Sequence, residues 1–139
     1  MSNVSKLACI VALAALCAPA AAQTATPDLR GTWKGESQSI ILGGAAHHPA
    51  VTAGEPRLTN VPFTLVVDKQ DGRRFSGTFS SARHSETVIA VVSQSGTIFM
   101  VDDDGYSAGT MLAANRMEVC YLHLSSASRI ASCTELTKQ

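Results

Sequence analysis

From residue 30 onward the chain is a succession of short runs in which apolar and polar residues alternate, cut at close intervals by turn-forming residues. A period of two puts alternate side chains on opposite faces of a strand. No long window repeats apolar residues at the helical spacing, so no helix is predicted. Eight runs read as strands: Arg30–Leu42, Pro62–Lys69, Arg74–Ser81, Thr87–Ser93, Thr97–Asp102, Tyr106–Leu112, Met117–Leu124 and Arg129–Leu136. Most are joined by tight turns, among them Asp71-Gly72, Gln94-Ser95-Gly96, Asp104-Gly105 and Ser125–Ser128. The exception is Gly43–Leu58, rich in Gly, Ala and Pro, which reads as a long loop.

Short connections force neighbouring runs to pair antiparallel. The expected fold class is therefore all-β: an eight-stranded up-and-down meander over residues 30–139. An open meander exposes two edges, and eight strands is about the number that closes into a small barrel. A closed or nearly closed barrel is predicted, with a two-sheet sandwich as the alternative. A three-residue loop at Asp71-Gly72-Arg73 puts Phe63, Leu65 and Val67 on the same face as Gly77 and Phe79.

The amino-terminal segment has a different character. Lys6 precedes an apolar run, Leu7–Cys17, then Pro19 and the small residues Ala20-Ala21-Ala22. That is the layout of a cleaved secretory leader over residues 1–22, too short to span a membrane as a stop-transfer helix. A segment over residues 23–29 would remain as a flexible arm. Export predicts a periplasmic or extracellular protein. Of the four cysteines only Cys120 and Cys133 lie outside the leader, and an oxidising compartment favours their pairing. If the last hairpin folds about the Ser126–Ala127 junction, the two stand directly opposite each other. Tyr121 and His123 then share a face with Met117 and Val119, across from Ser132 and Ile130.

Composition removes several function classes. With 11 basic and 11 acidic residues the net charge is +0, so a nucleic-acid partner is not expected. Stable membrane insertion is not expected either. Lys34, Glu36, Glu118 and Glu135, among others, would interrupt the lipid-facing band of a membrane barrel.

The segment Leu29–Ser37 contains Gly31-Thr32-Trp33. It resembles the first-strand G-x-W signature of calycin-type barrels, which include lipocalins, avidins and small bacterial metalloprotease inhibitors. The resemblance implies a barrel closed at one end by Trp33. Avidin-type sites use several tryptophans and Trp33 is alone here, so biotin is not implied. The inhibitor likeness implies that an amino-terminal arm, here Gln23–Leu29, could enter a protease cleft.

No catalytic constellation emerges. Gly35–Ser39 is one residue short of a nucleophile elbow and lies within a strand pattern. Asp102-Asp103-Asp104-Gly105 lacks the ligand spacing and flanking helices of a calcium loop, and reads as a hairpin turn. His47-His48 could ligate a metal with His84 or His123, but no two histidines show ligand spacing, and neither a metal nor a cofactor is predicted. The residues selected for ligand contact are Trp33, Tyr121 and His123. The function expected is a non-catalytic binding module for a small, apolar ligand. The alternative is an interaction module for an exported protein, such as a periplasmic protease inhibitor.

Overall fold

The computed structural model describes residues 26–49 and 54–139. The leader expected over 1–22 lies outside them. The strands are β1 (Gly31–Gly43), β2 (Arg57–Asp71), β3 (Arg74–Ser80), β4 (Ser85–Val92), β5 (Ile98–Val101), β6 (Tyr106–Ala113), β7 (Arg116–Leu124) and β8 (Ser128–Lys138). Each pairs with its successor, and β8 returns to pair with β1, so the sheet closes as a barrel. The predicted meander is the observed fold, and the sandwich is excluded.

Two details differ from the sequence reading. β2 begins at Arg57, so the strand runs through Pro62 instead of starting there. β3 ends opposite Thr64, leaving the first residues of β2 paired to β1 alone. A stretch paired on one side tolerates a missing N–H. The β2–β3 turn also has two residues, not three, since Asp71 pairs with Arg74. A bulge between Val67 and Lys69 corrects the register, so Phe63, Leu65, Val67 and Gly77 are still buried. The same bulge sets Gln70 opposite Phe75, on the inward register.

Gln70 helps to close one end of the barrel. The Leu29 N–H donates to Gln70 Oε1 at 2.8 Å, and Gln70 Nε2 donates to the carbonyl of Pro27 at 2.9 Å. Leu29 and Trp33 are both 0% exposed. The Trp33 indole N–H donates to the Leu29 carbonyl at 2.8 Å, so the buried ring keeps no unpaired donor. Lys138 Nζ donates to the Asp28 carbonyl and stands 5.4 Å from the centre of the Trp33 ring. Trp33 closes one end, as the resemblance implied. Leu29 is not part of a free arm. Its side chain is more stable buried on Trp33 than in water, and its peptide groups are paired.

The apolar core fills this closed end and the middle of the barrel, with Leu65, Phe75, Ile98, Met117 and Leu136 around Trp33. Cys120 and Cys133 form a disulfide at directly opposed positions of β7 and β8, with Cα atoms 4.0 Å apart. They sit on the outer register, alternating with buried Val119 and Thr134.

Leu29→Ala is expected to cost about 2–5 kcal/mol by opening a cavity under Trp33. Urea unfolding followed by the emission of Trp33, the sole tryptophan, measures this, and the native emission should shift to the red. Replacing both cysteines by serine removes a cross-link spanning 13 residues. It should cost about 3 kcal/mol and leave native Trp33 emission unchanged.

Candidate functional site

An up-and-down barrel sorts its connections by parity. β1 starts at the Trp33 end, so the β1–β2, β3–β4, β5–β6 and β7–β8 connections all emerge at the opposite mouth. His47, His48, His84 and Asp102–Asp104 lie on or beside the first three of these, and His123 stands near the end of β7. Residues scattered over more than seventy positions thus converge on one rim.

Below the rim lies a cavity of about 40 Å³, room for about three water molecules. Its wall is apolar where Phe63, Phe79, Val88, Met100, Val119 and Ile130 face it. It is polar where Glu86, Asp102, Asp104, Ser107, Tyr121, Ser132 and Thr134 do. The loop after β1 covers it with Ala45, Ala46, His47 and His48. Phe63 and Phe79 stack with ring centres 4.6 Å apart, and the His47 ring meets Phe63 edge-on at 5.1 Å.

Glu86 is the most constrained group. It occupies the inward register of β4, two residues before Val88, and its side chain is 6% exposed. A buried carboxylate needs a partner. Its Oε1 bonds His47 Nε2, whose ring contacts Ser81 Oγ at 2.9 Å through Nδ1. This chain has the membership of a hydrolytic triad, and Ser81 is held from its own turn too. The backbone N–H groups of Arg83 and His84 both donate to Ser81 Oγ, at 3.2 and 3.4 Å. These two contacts tie the hydroxyl to its own turn as well as to His47. The chain moors the loop over Glu86.

Across the mouth the Tyr121 hydroxyl donates to Asp104 Oδ1 at 2.6 Å. Burial first, and then that bond to Asp104, raise its pKa well above the ordinary phenol value, so it remains a donor. His123 contacts the Asp104 carbonyl through Nδ1 at 2.7 Å and Ser128 Oγ through Nε2 at 2.8 Å. Gly105 makes room for this arrangement: a Cβ there would lie 2.3 Å from the Tyr121 ring. One carboxylate oxygen from each of Glu86, Asp102 and Asp104 lies within 4.8 Å of the others. Among the described residues no histidine joins that group.

Of the three residues selected from sequence, Tyr121 lines the cavity and His123 stands beside it, the two rings stacked with centres 6.5 Å apart. Trp33 is at the far end of the barrel and does not line it. Sequence reasoning missed Glu86, weighed His47 only as a metal ligand, and weighed Asp104 only as part of a calcium loop or a turn. Continuing the alternation of Val88, Ala90 and Val92 back by two positions would have put Glu86 inside. The parity of the connections would have brought His47 and Asp104 to one rim.

No protein-family model matches the chain, and no curated protein is similar to it in sequence. Among solved structures, the S-type phycobiliprotein lyase CPES from Guillardia theta is similar at 11% identity and a TM-score of 0.46. The match covers 80% of this chain and 88% of the lyase. At that distance nothing about ligand or activity passes from one protein to the other.

His48 is 5% exposed, and its Nδ1 has no hydrogen-bond partner among the described residues. Burial, then the neighbouring His47 and Arg57, lower its pKa, so it is held neutral. Its folded value lies below its unfolded one, so the unfolded chain binds the proton first as pH falls. His48 therefore leaves stability untouched above the ordinary imidazole value of 6.5 and removes it progressively below that value. Comparison with His48→Leu isolates the effect. Between about pH 7.5 and about pH 5, wild type should lose on the order of 1 kcal/mol more than the variant, measured by urea midpoints. Parallel pH profiles would refute the assignment.

Proposed function

We propose that this is an exported binding protein that takes a small ligand into the His47 mouth of the barrel. The ligand carries a hydrogen-bond donor group on an apolar body. The observation that carries this reading is Glu86: an acid built into the lumen wall, at the boundary between an apolar lining and a polar rim. Ligand sites commonly combine mostly apolar walls with a few convergent polar groups. The donor group pairs with Glu86 in place of the His47 ring, while Phe63, Phe79 and Val119 take the apolar part. Tyr121, held by Asp104, and His123 form the β7 side of the rim. Trp33 supports the site from below by keeping the far end closed.

The cavity is small, so it suits the head of a ligand whose remainder lies along the rim. Export is supported by the leader pattern over residues 1–22 and by the Cys120–Cys133 bridge, which belongs in an oxidising compartment. Action through an amino-terminal arm has less support, since Pro27–Leu29 is tied to Gln70 and Trp33.

Native mass spectrometry of the protein purified from its own host should show a bound small molecule. Glu86→Gln keeps the size of the side chain and removes the charge. A hydrogen bond to a charged group contributes about 1.5–3 kcal/mol, so affinity for that molecule should fall by roughly 10- to 100-fold. Full affinity in Glu86→Gln, or wild type purified without any adduct, would overturn the reading.

A further inference from the structure

The outer surface of the barrel is divided. Lys34, Glu36, Asp68, Arg74, Glu118, Arg129 and Glu135 are exposed on the strands other than β4, β5 and β6. The exposed residues of β4, β5 and β6 include no charge at all. Strand register assembles them into two adjacent rows. In one, Ile89 pairs with Val101, Val101 with Tyr106, and Tyr106 with Leu122. In the other, Val91 pairs with Phe99, Phe99 with Ala108, and Ala108 with Cys120 of the disulfide. Ile89 is 59% exposed, Phe99 50% and Tyr106 57%.

We infer that this face is the interface of a homodimer. Six large apolar side chains at about half exposure present on the order of 500 Å² on each copy, as large as the largest patch on a typical monomer. Two such faces, with Thr87, Ala108 and Thr110 at their margins, bury roughly 1,000–1,200 Å² together, the lower range of a specific interface. A face without charges is self-compatible, because no like pair is desolvated when two copies meet. Its borders favour one orientation, with Arg74 already paired to Asp71 on β2 and Arg116 beside Glu118 on β7. Arg74 adjoins it on β3, opposite Val91, and Glu118 adjoins it on β7, opposite Thr110. A two-fold axis parallel to the strands brings the Arg74 border of each copy to the Glu118 border of the other. An axis across the strands would set like charges together. An anionic membrane is the poorer occupant. The face offers no lysine or arginine, and Asp102–Asp104 stand at its edge in the β5–β6 connection.

Sedimentation equilibrium of the leaderless chain with its disulfide intact tests this. Wild type should dimerise with a dissociation constant on the order of micromolar. Ile89→Lys with Phe99→Lys should weaken it at least tenfold and leave the circular dichroism spectrum unchanged, since both side chains point to solvent. The axis passes near the centre of the face on β5. Val101→Cys should therefore cross-link to itself in the dimer, while Lys34→Cys on the opposite wall should not. A wild type that stays monomeric at about 100 µM overturns the inference, as does a dimer indifferent to the double substitution. A monomer that binds phosphatidylcholine–phosphatidylglycerol vesicles through the same residues would assign the face to lipid instead. None of these outcomes bears on the ligand site, which lies inside the barrel.

Discussion

The pairing of β1 with β8 is the constraint on which the rest of the molecule depends. It joins the two ends of the domain, from Trp33 opposite Lys138 to Gly43 opposite Ser128. It also pairs both terminal strands, which would be the free edges of an open meander. Closure with eight strands fixes a narrow bore, just wide enough for side chains. Neighbouring strands also come close where the sheet coils. A Cβ on Gly35 would lie 2.0 Å from the Glu135 carbonyl oxygen, and one on Gly77 would lie 1.9 Å from that of Val66. Neither glycine has an unusual φ. Each gives room to the backbone of the adjacent strand.

A narrow bore with one end plugged divides the interior in two. At the Trp33 end every inward position is apolar or, like Gln70, paired with the amino-terminal segment. Toward the mouth the inward positions of β1 and β8 become Ser37, Ser39, Ser132 and Thr134. Ser39 Oγ joins Ser37 at 3.0 Å and Ser132 at 2.7 Å. The three serine hydroxyls satisfy one another, so their burial costs little. They also keep that side of the lumen polar, facing the aromatic pair Phe63–Phe79. Stability therefore resides at one end, and the other end is free to carry polar groups that a continuous apolar core would exclude.

Much of this was legible in the sequence because period-two alternation is a local signal. Each inward position of β1, β2 and β7 could be read from neighbours two residues away. The disulfide followed from the symmetry of one hairpin. The misreadings arose where a local rule met a non-local circumstance. Pro62 looked like a strand start, and only the early end of β3 lets β2 run through it. The β2–β3 loop looked like three residues because a bulge at Asp68 produces the same facing pattern. The resemblance placed Trp33 correctly at the closed end, although closing an end and lining a ligand site are different tasks in a barrel this small. Asp104-Gly105 was recognised as a turn, but Gly105 does not take a left-handed conformation. It makes space for Tyr121, a contact across strands that no turn rule encodes.

The binding site was the least legible part because it belongs to no single segment. Glu86, His47, Ser81 and Tyr121 come from β4, two connections and β7, and only closure brings them together. Their dependence is one of electrostatics as much as of placement. Glu86 cannot lie in that wall without a donor, and His47 cannot reach it unless Ser81 and the phenylalanines hold its ring. An acid buried for stability alone would be a poor solution, since a well-packed apolar residue would serve at least as well. That Glu86 instead sits beside a cavity, with its partner among the described residues on a loop and not on the barrel wall, is why the mouth is read as a place where one donor gives way to another.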